Sequence, residues 1–246
     1  MLEVRELNYT YREKKLFRKN GKPEFTLRDI NFTLEQGYIL GLLGLNGAGK
    51  STLMELLMGI YIPESGSVTY DGEEVSKDTT KTLQKIACVS ENMNFIDSMT
   101  LRENVEFFGV LYDNFDNAQW EENMISFGFT QANLEQSFGT LSSGQQRKFQ
   151  LAFALAFEPE LLILDESTAN LDPHARVEWM ELLKELTTAK EISVIMSTHL
   201  TSDLDEIADY ILIMHEGKQL AFMDREELVD KYGERELAEI LRMYTA

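Results

Sequence analysis

The chain has 246 residues, of which 43% are hydrophobic and 26% charged, a balance typical of a globular protein with a substantial core. Asp and Glu number 42 against 23 for Lys and Arg, so the formal net charge is −19. So acidic a chain is not expected to bind nucleic acid, whose phosphates carry the same sign of charge.

The first elements of the chain are predicted to be strands. Residues 1–11 alternate apolar and polar side chains, and residues 25–34 repeat the pattern. Between them, residues 12–23 are polar and contain Asn20-Gly21, a turn signal, so they are interpreted as a hairpin loop. An antiparallel β layer is therefore expected at the N-terminus.

A glycine-rich segment follows the apolar run Tyr38–Leu43, which is predicted to be a buried strand. Gly44–Ser51, named here the phosphate loop, fits the pattern G-x-x-x-x-G-K-[ST] at every fixed position. Its glycines let backbone amides approach phosphate oxygens, and the helix behind it adds a positive dipole end. The predicted nucleotide-binding residues are Asn46, Gly47, Ala48, Gly49, Lys50, Ser51 and Thr52, with the Ser51 hydroxyl also binding Mg²⁺.

The middle of the chain is predicted to be mainly helical. After a short strand at residues 67–70 and a core strand at residues 86–89, residues 92–155 are interpreted as a helical subdomain inserted in the core. The lone cysteine, Cys88, lies in that core strand and is expected to be a buried, inert thiol. Four side chains are expected to form one buried helix face: Phe107, Phe108, Leu111 and Tyr112.

Two later apolar runs end in polar residues. Residues 161–164 form a predicted central strand followed by Asp165 and Glu166, and residues 192–196 form another, followed shortly by His199. Ligands of open α/β sheets bind at this edge of the sheet. Asp165 is expected to complete the Mg²⁺ site and Glu166 to polarise a water, although a strand-end acid or a lone His can also be purely structural.

Taken in this order, the motifs resemble those of the ATP-binding subunit of an ABC transporter. The phosphate loop is similar to Walker A, residues 161–165 to Walker B, and Leu141–Gln145 to the LSGGQ signature segment. Ala169–Asp172 resembles the D-loop. By the same resemblance, Glu166 would be the catalytic glutamate, His199 the switch histidine, and Tyr11 the aromatic residue that stacks on adenine.

The resemblance implies an α/β fold, the P-loop NTPase fold of ABC ATPases. It has a mixed parallel-sheet core, an N-terminal antiparallel β layer and an inserted helical subdomain at about residues 92–155, all in one domain, 1–246. It implies that two such domains pair head to tail, as a homodimer or a heterodimer, with ATP and Mg²⁺ between them. Ser142, Gly144 and Gln145 of the signature segment would then face the partner's nucleotide.

Three positions depart from the family pattern. Ser143 replaces the usual glycine of the signature segment, and Asn170 replaces a small residue of the D-loop. Glu91 stands where the family has a glutamine; it is predicted to bind Mg²⁺ or its water, but it cannot donate a hydrogen bond when ionised.

The leading hypothesis is an ATPase that powers a separate membrane-spanning permease, with an inclination toward export. The chain would be cytoplasmic and held at the inner face of the cell membrane by that partner, which would meet residues 92–101. That segment is expected to be a loop with exposed apolar residues such as Phe95, although such residues could instead cap their own subdomain. The sequence shows no signal-peptide pattern and no apolar run near the roughly 20 residues that span a bilayer. A soluble ABC ATPase of an assembly process is the alternative, and a non-hydrolysing regulator is disfavoured because Glu166 and His199 are both present.

Overall fold

The structure is a computed structural model that describes residues 1–11, 25–75, 82–90, 93 and 95–245. The predicted hairpin loop at residues 12–23 and the predicted metal ligand Glu91 lie outside the described residues.

The described residues contain one sheet of ten strands. The strands are β1 Leu2–Tyr11, β2 Phe25–Leu34, β3 Ile39–Leu43, β4 Ser65–Tyr70, β5 Glu73–Glu74, β6 Ile86–Ser90, β7 Leu161–Asp165, β8 Ser193–Ser197, β9 Tyr210–His215 and β10 Lys218–Asp224. Their order across the sheet is β5-β4-β1-β2-β10-β9-β3-β8-β7-β6. The helices are α1 Lys50–Leu57, α2 Leu101–Gly109, α3 Asn117–Ser126, α4 Ser143–Leu155, α5 Pro173–Lys190, α6 Thr201–Ile207, α7 Arg225–Tyr232 and α8 Leu237–Thr245.

Strand direction divides the sheet into two parts. Strands β9, β3, β8, β7 and β6 run parallel to one another, whereas β2, β1, β4 and β5 pair antiparallel. The mixed core and the N-terminal antiparallel layer are thus as predicted. Every residue of β3 and β8 is buried, as expected of parallel strands covered on both faces.

The parallel strands end at one edge of the sheet in matched register. Leu42 of β3 pairs with Ser197 of β8, Ser197 with Asp165 of β7, and Asp165 with Ser90 of β6. Polar side chains that follow these strands are therefore brought together in space, although they are far apart in sequence.

The segment between β6 and β7 contains the predicted helical subdomain. Helices α2, α3 and α4, with two short 3₁₀ helices at Gln131–Glu135 and Phe138–Thr140, surround an aromatic cluster. Phe95 lies at its centre, with ring centroids of four other phenylalanines at 4.8 to 5.5 Å.

Two sequence interpretations of this region were wrong. Phe95 was expected to be exposed in a loop, but it is only 7% exposed because neighbouring aromatic rings enclose it, which agrees with the alternative that it packs on its own subdomain. Conversely, Phe107 and Leu111 were expected to be buried, yet they are 55% and 72% exposed. The helix α2 ends at Gly109, so Leu111 and Tyr112 lie beyond it and the four residues do not form one helix face. Spacing alone does not decide which residues the neighbouring helices cover.

The C-terminal end of the described chain packs on its own core. Glu216 and Gly217 both have positive φ and connect β9 to β10 as the predicted hairpin. Leu237 and Ile240 of α8 are fully buried in the same apolar cluster as β3, β7 and β8. Every helix in the described part of the chain is too short or too polar to span a bilayer.

Phe95→Ala tests the central position of this ring in the helical subdomain. Because the substitution removes a buried aromatic ring, we expect it to lower the free energy of unfolding by about 3–5 kcal/mol, measured by urea denaturation. The matched control is Phe107→Ala, which removes an exposed ring and should change stability by less than about 0.5 kcal/mol. Equal effects of the two substitutions would contradict the packing described.

Candidate active site

The phosphate loop connects β3 to α1 and is tightly enclosed by its neighbours. A Cβ atom at Gly44 would lie 2.5 Å from the Met214 carbonyl oxygen, so only glycine fits there. Gly49, the N-cap of α1, has φ 107°, and a Cβ atom there would lie 2.6 Å from the Phe25 ring. These contacts explain why the loop needs glycine at these two positions.

Lys50 places its ammonium group beneath the phosphate loop. Its Nζ atom donates to the carbonyl oxygens of Gly44 at 2.7 Å and Leu45 at 3.4 Å. Burial lowers the pKa of Lys50, while the negative charges of Glu166 and Asp165 act in the opposite direction. The buried cation in the loop suits a polyanion such as a polyphosphate, whereas the two nearby carboxylates would repel it unless a divalent cation lies between them.

The carboxyl ends of β7 and β8 supply the acidic and imidazole groups. Ser197 Oγ donates to Asp165 Oδ1 at 2.6 Å, which fixes the carboxylate at the sheet edge. Glu166 has φ 50°, and its Oε1 lies 2.7 Å from His199 Nε2. The structure therefore brings together the three groups predicted from the two strand ends.

A cavity of about 460 Å³ contains most of these groups. It is lined by Phe25, Asn46, Gly47, Ala48, Gly49, Lys50, Ser51, Thr52, Glu166 and His199. All but Phe25 were selected from the sequence. Tyr11 is not among the lining residues; its ring packs edge-on against Tyr61 at 6.4 Å, so its contact with adenine stays a prediction.

A second cavity, of about 640 Å³, adjoins the first one and has the oxygen groups expected of a Mg²⁺ site. Ser51 and Asp165 both line it, and a serine hydroxyl with a carboxylate is the hard oxygen donor set that Mg²⁺ prefers. Glu55, one turn after Ser51, also lines it. The residues present therefore fit a divalent cation, and Glu91 as a further ligand stays a prediction.

Cys88 lies in the wall of this second cavity. Its thiol is half-buried, and burial followed by the charge of Asp165 raises its pKa to about 11. The thiol is therefore protonated at neutral pH and a weak nucleophile, as expected from the sequence, although the residue is half-buried rather than buried as predicted.

The signature segment lies at a separate cavity of about 250 Å³, which shares no lining residue with the phosphate-loop cavity. Ser142 is the N-cap of α4 and forms a reciprocal capping box with Gln145. Ser142, Gly144 and Gln145 line this cavity together with Leu171 and Asp172 of the D-loop. The signature segment and the D-loop thus form one surface.

A buried polar network behind the site was not identified from the sequence. Asp203 of α6 accepts hydrogen bonds from Thr168 at 2.8 Å and Thr198 at 3.2 Å, and it pairs with Arg176 at 3.3 Å. Thr168 lies two residues after Glu166, and Thr198 lies directly before His199. The Asp203 carboxylate therefore links the two loops that carry these site residues. The sequence signal for this network was limited to the polar residues that follow β7 and β8, among them Thr168 and Thr198.

Comparison with known proteins identifies the family. A family model described as ABC transporter matches residues 27–169, which is more than half of the chain. The chain belongs to the ABC transporter family. The fold is accordingly the predicted P-loop ABC ATPase fold, and the chain is an ATP-binding transporter subunit that hydrolyses ATP.

Individual members of the ABC transporter family resemble this chain over most of its length. It is 31% identical over 218 residues to the Nod factor export ATP-binding protein I of Rhizobium sp. (strain N33), a match that covers 87% of the chain and 71% of that protein. A solved ATP-binding subunit of an ABC transporter superposes with a TM-score of 0.84 at 25% identity, covering all of both chains. The dimeric post-hydrolysis state of the ATP-binding cassette MJ0796, with ADP and Pi, superposes with a TM-score of 0.78 at 24% identity, covering 91% and 98% of the chains.

Lys50→Ala tests the phosphate-loop cavity of this ABC ATPase. The substitution removes charge-assisted hydrogen bonds to phosphate, so we expect ATP to bind about 10- to 100-fold more weakly, measured by calorimetry. Lys184→Ala is the control, since it removes a lysine whose ion pair with Glu206 lies on the exposed surface. An unchanged ATP affinity of Lys50→Ala would show that the nucleotide binds elsewhere.

Proposed function

We propose that this ATPase powers export through a separate membrane-spanning subunit and that it works at the inner face of the cell membrane. The observation that carries the proposed hydrolysis mechanism is the 2.7 Å contact between His199 Nε2 and Glu166 Oε1, at the rim of the cavity that holds Lys50. Export as the direction of transport is supported by the relative from Rhizobium, whose name describes an exporter.

Hydrolysis is proposed to use three side chains of this chain. Lys50 binds the phosphates from below the loop, where burial reduces competition from water. Glu166 accepts the proton of the water that attacks the terminal phosphate, and His199 holds the Glu166 carboxylate in position through its 2.7 Å contact.

Ser51 and Asp165 are the residues proposed to hold Mg²⁺, because both line the second cavity and both offer oxygen donors. The ion, when bound, neutralises negative charge on the phosphates of ATP. The hydrogen bond from Ser197 orients the Asp165 carboxylate for this task.

A head-to-tail pair of ATPase domains is proposed to form the complete site. The signature segment and the phosphate loop line separate cavities, so each can contribute to a different ATP at an interface between domains. The N-terminus of α4, with its amides and positive dipole end, suits a phosphate supplied by the partner's nucleotide. The MJ0796 structure is described as dimeric, which supports pairing of two such domains, and both a second copy and a different ATPase fit as partner.

Glu166→Gln tests the proposed base and the dimer together. We expect turnover to fall at least about 100-fold because the amide cannot accept the proton, while ATP binding persists. A dimer should then accumulate with ATP on size exclusion. Glu185→Gln, on the exposed surface of α5, is the control and should hydrolyse ATP at the wild-type rate. Wild-type turnover in Glu166→Gln would exclude this glutamate as the base.

The membrane subunit is proposed to dock a short helix on the exposed apolar border of the second cavity, which leaves Ser51 and Asp165 of the same cavity to hold Mg²⁺. That cavity is mostly apolar, with walls formed by residues such as Met54, Met58 and Ile86. Ile60 and Leu111 at its border are exposed, at 60% and 72%. Phe95 is buried and is not accessible to a partner. The contact with the membrane subunit that was predicted for residues 92–101 is therefore proposed to lie at Ile60 and Leu111 instead.

Capture from membranes tests the partner. The tagged chain should recover a multi-spanning membrane protein in fixed stoichiometry from mildly solubilised native membranes, identified by mass spectrometry. Leu111→Glu should lose this partner yet keep ATPase activity, because a charge would enter an apolar contact. Met243→Glu, at an exposed apolar residue of α8, is the control. Recovery of soluble partners alone would support the assembly ATPase instead.

A further inference from the structure

A hydrogen bond joins the signature segment to the D-loop through Ser143. Its Oγ donates to the carbonyl oxygen of Asn170 at 3.0 Å. We propose that Ser143 is a positioning residue, which links the half-site of the signature segment to the D-loop and so to Glu166. The proposal rests on the proposed function, since it requires ATP held between two ATPase domains.

The signature end of this contact is held in a fixed geometry. Ser143 is the first residue of α4, and the capping box beside it consists of two hydrogen bonds, from the Gln145 amide to Ser142 Oγ at 3.3 Å and from the Ser142 amide to Gln145 Oε1 at 3.0 Å. Because Ser142 already caps the helix, the Ser143 hydroxyl is available for another segment. A Cβ atom at Gly144 would lie 3.4 Å from Ala175 Cβ, so α4 and α5 approach closely here.

The D-loop end of the contact leads to Glu166 through two successive turns. The Ala169 amide donates to the Glu166 carbonyl at 3.0 Å, and the Leu171 amide donates to the Thr168 carbonyl at 3.3 Å. Asn170 has φ 62°, a left-handed conformation that asparagine adopts more readily than most residues. A displacement of the Asn170 carbonyl is therefore passed along a short, hydrogen-bonded backbone to the proposed base.

The side chain at position 143 decides whether this link exists. A glycine there would leave the Ser142 cap intact but would supply no donor for the Asn170 carbonyl. The acceptor is the backbone carbonyl of Asn170, which any residue at position 170 would offer, so the serine at 143 is the departure from the family pattern that creates the contact. A phosphate of the partner's ATP, bound at Ser142 and Gly144, would in this way influence the Glu166 carboxylate. That carboxylate acts on the other ATP, at the phosphate loop of its own domain.

Ser143→Ala, with Ser143→Thr as the conservative variant, tests the link in the full-length ATPase. We expect Ser143→Ala to lower kcat about 2- to 10-fold, the range of one neutral hydrogen bond, and to leave the ATP affinity of a Glu166→Gln background unchanged by calorimetry. Ser143→Thr retains the hydroxyl and should restore kcat. Thr140→Ala is the matched control, because it removes a nearby hydroxyl that donates to the Ser137 carbonyl at 2.7 Å and should retain wild-type kcat.

Several outcomes would overturn the proposal. They are wild-type kcat in Ser143→Ala, no recovery in Ser143→Thr, or an equal loss of thermal stability and activity, which would assign Ser143 a structural role. Failure of the proposed function would look different. In that case Glu166→Gln would form no ATP-dependent dimer, whatever residue stands at position 143.

Discussion

The common end of the buried parallel strands is the constraint on which the site depends. Strands β3 and β8 are buried at every residue, and their only polar side chains are Ser193 and Ser197, at the two ends of β8. The register then places Ser90, Asp165 and Ser197 side by side, with the phosphate loop following β3. The positions of the reactive groups are therefore a consequence of how the core is packed.

The parts of the site that are local in sequence could be predicted from it. The phosphate loop is contiguous, and its chemistry follows from glycine, lysine and serine at fixed spacing. Even the proximity of Glu166 and His199, 33 residues apart, follows from the rule that strand ends share an edge. In contrast, Phe25 reaches the loop from β2, and no pattern of spacing predicts its contact with Gly49.

The burial of particular side chains depends on contacts between elements and could not be predicted from the sequence. Phe95 and Phe107 belong to the same aromatic-rich region, yet one is enclosed by four rings and the other is exposed. The Asp203 carboxylate is buried because Thr168, Thr198 and Arg176 satisfy it, and those partners come from three different segments. Such arrangements depend on tertiary packing, which overrides the preferences of each segment.

The chemistry of Cys88 has a practical consequence for spectroscopy. It is the single cysteine of the chain, and burial raises the pKa of its thiol to about 11, so the thiol is protonated at neutral pH. Maleimide and iodoacetamide reagents react with the thiolate, so this natural thiol contributes little background. Cysteines introduced on the exposed surface would ionise more readily than Cys88 and could carry fluorophores or spin labels, which would report distances between domains through the ATP cycle.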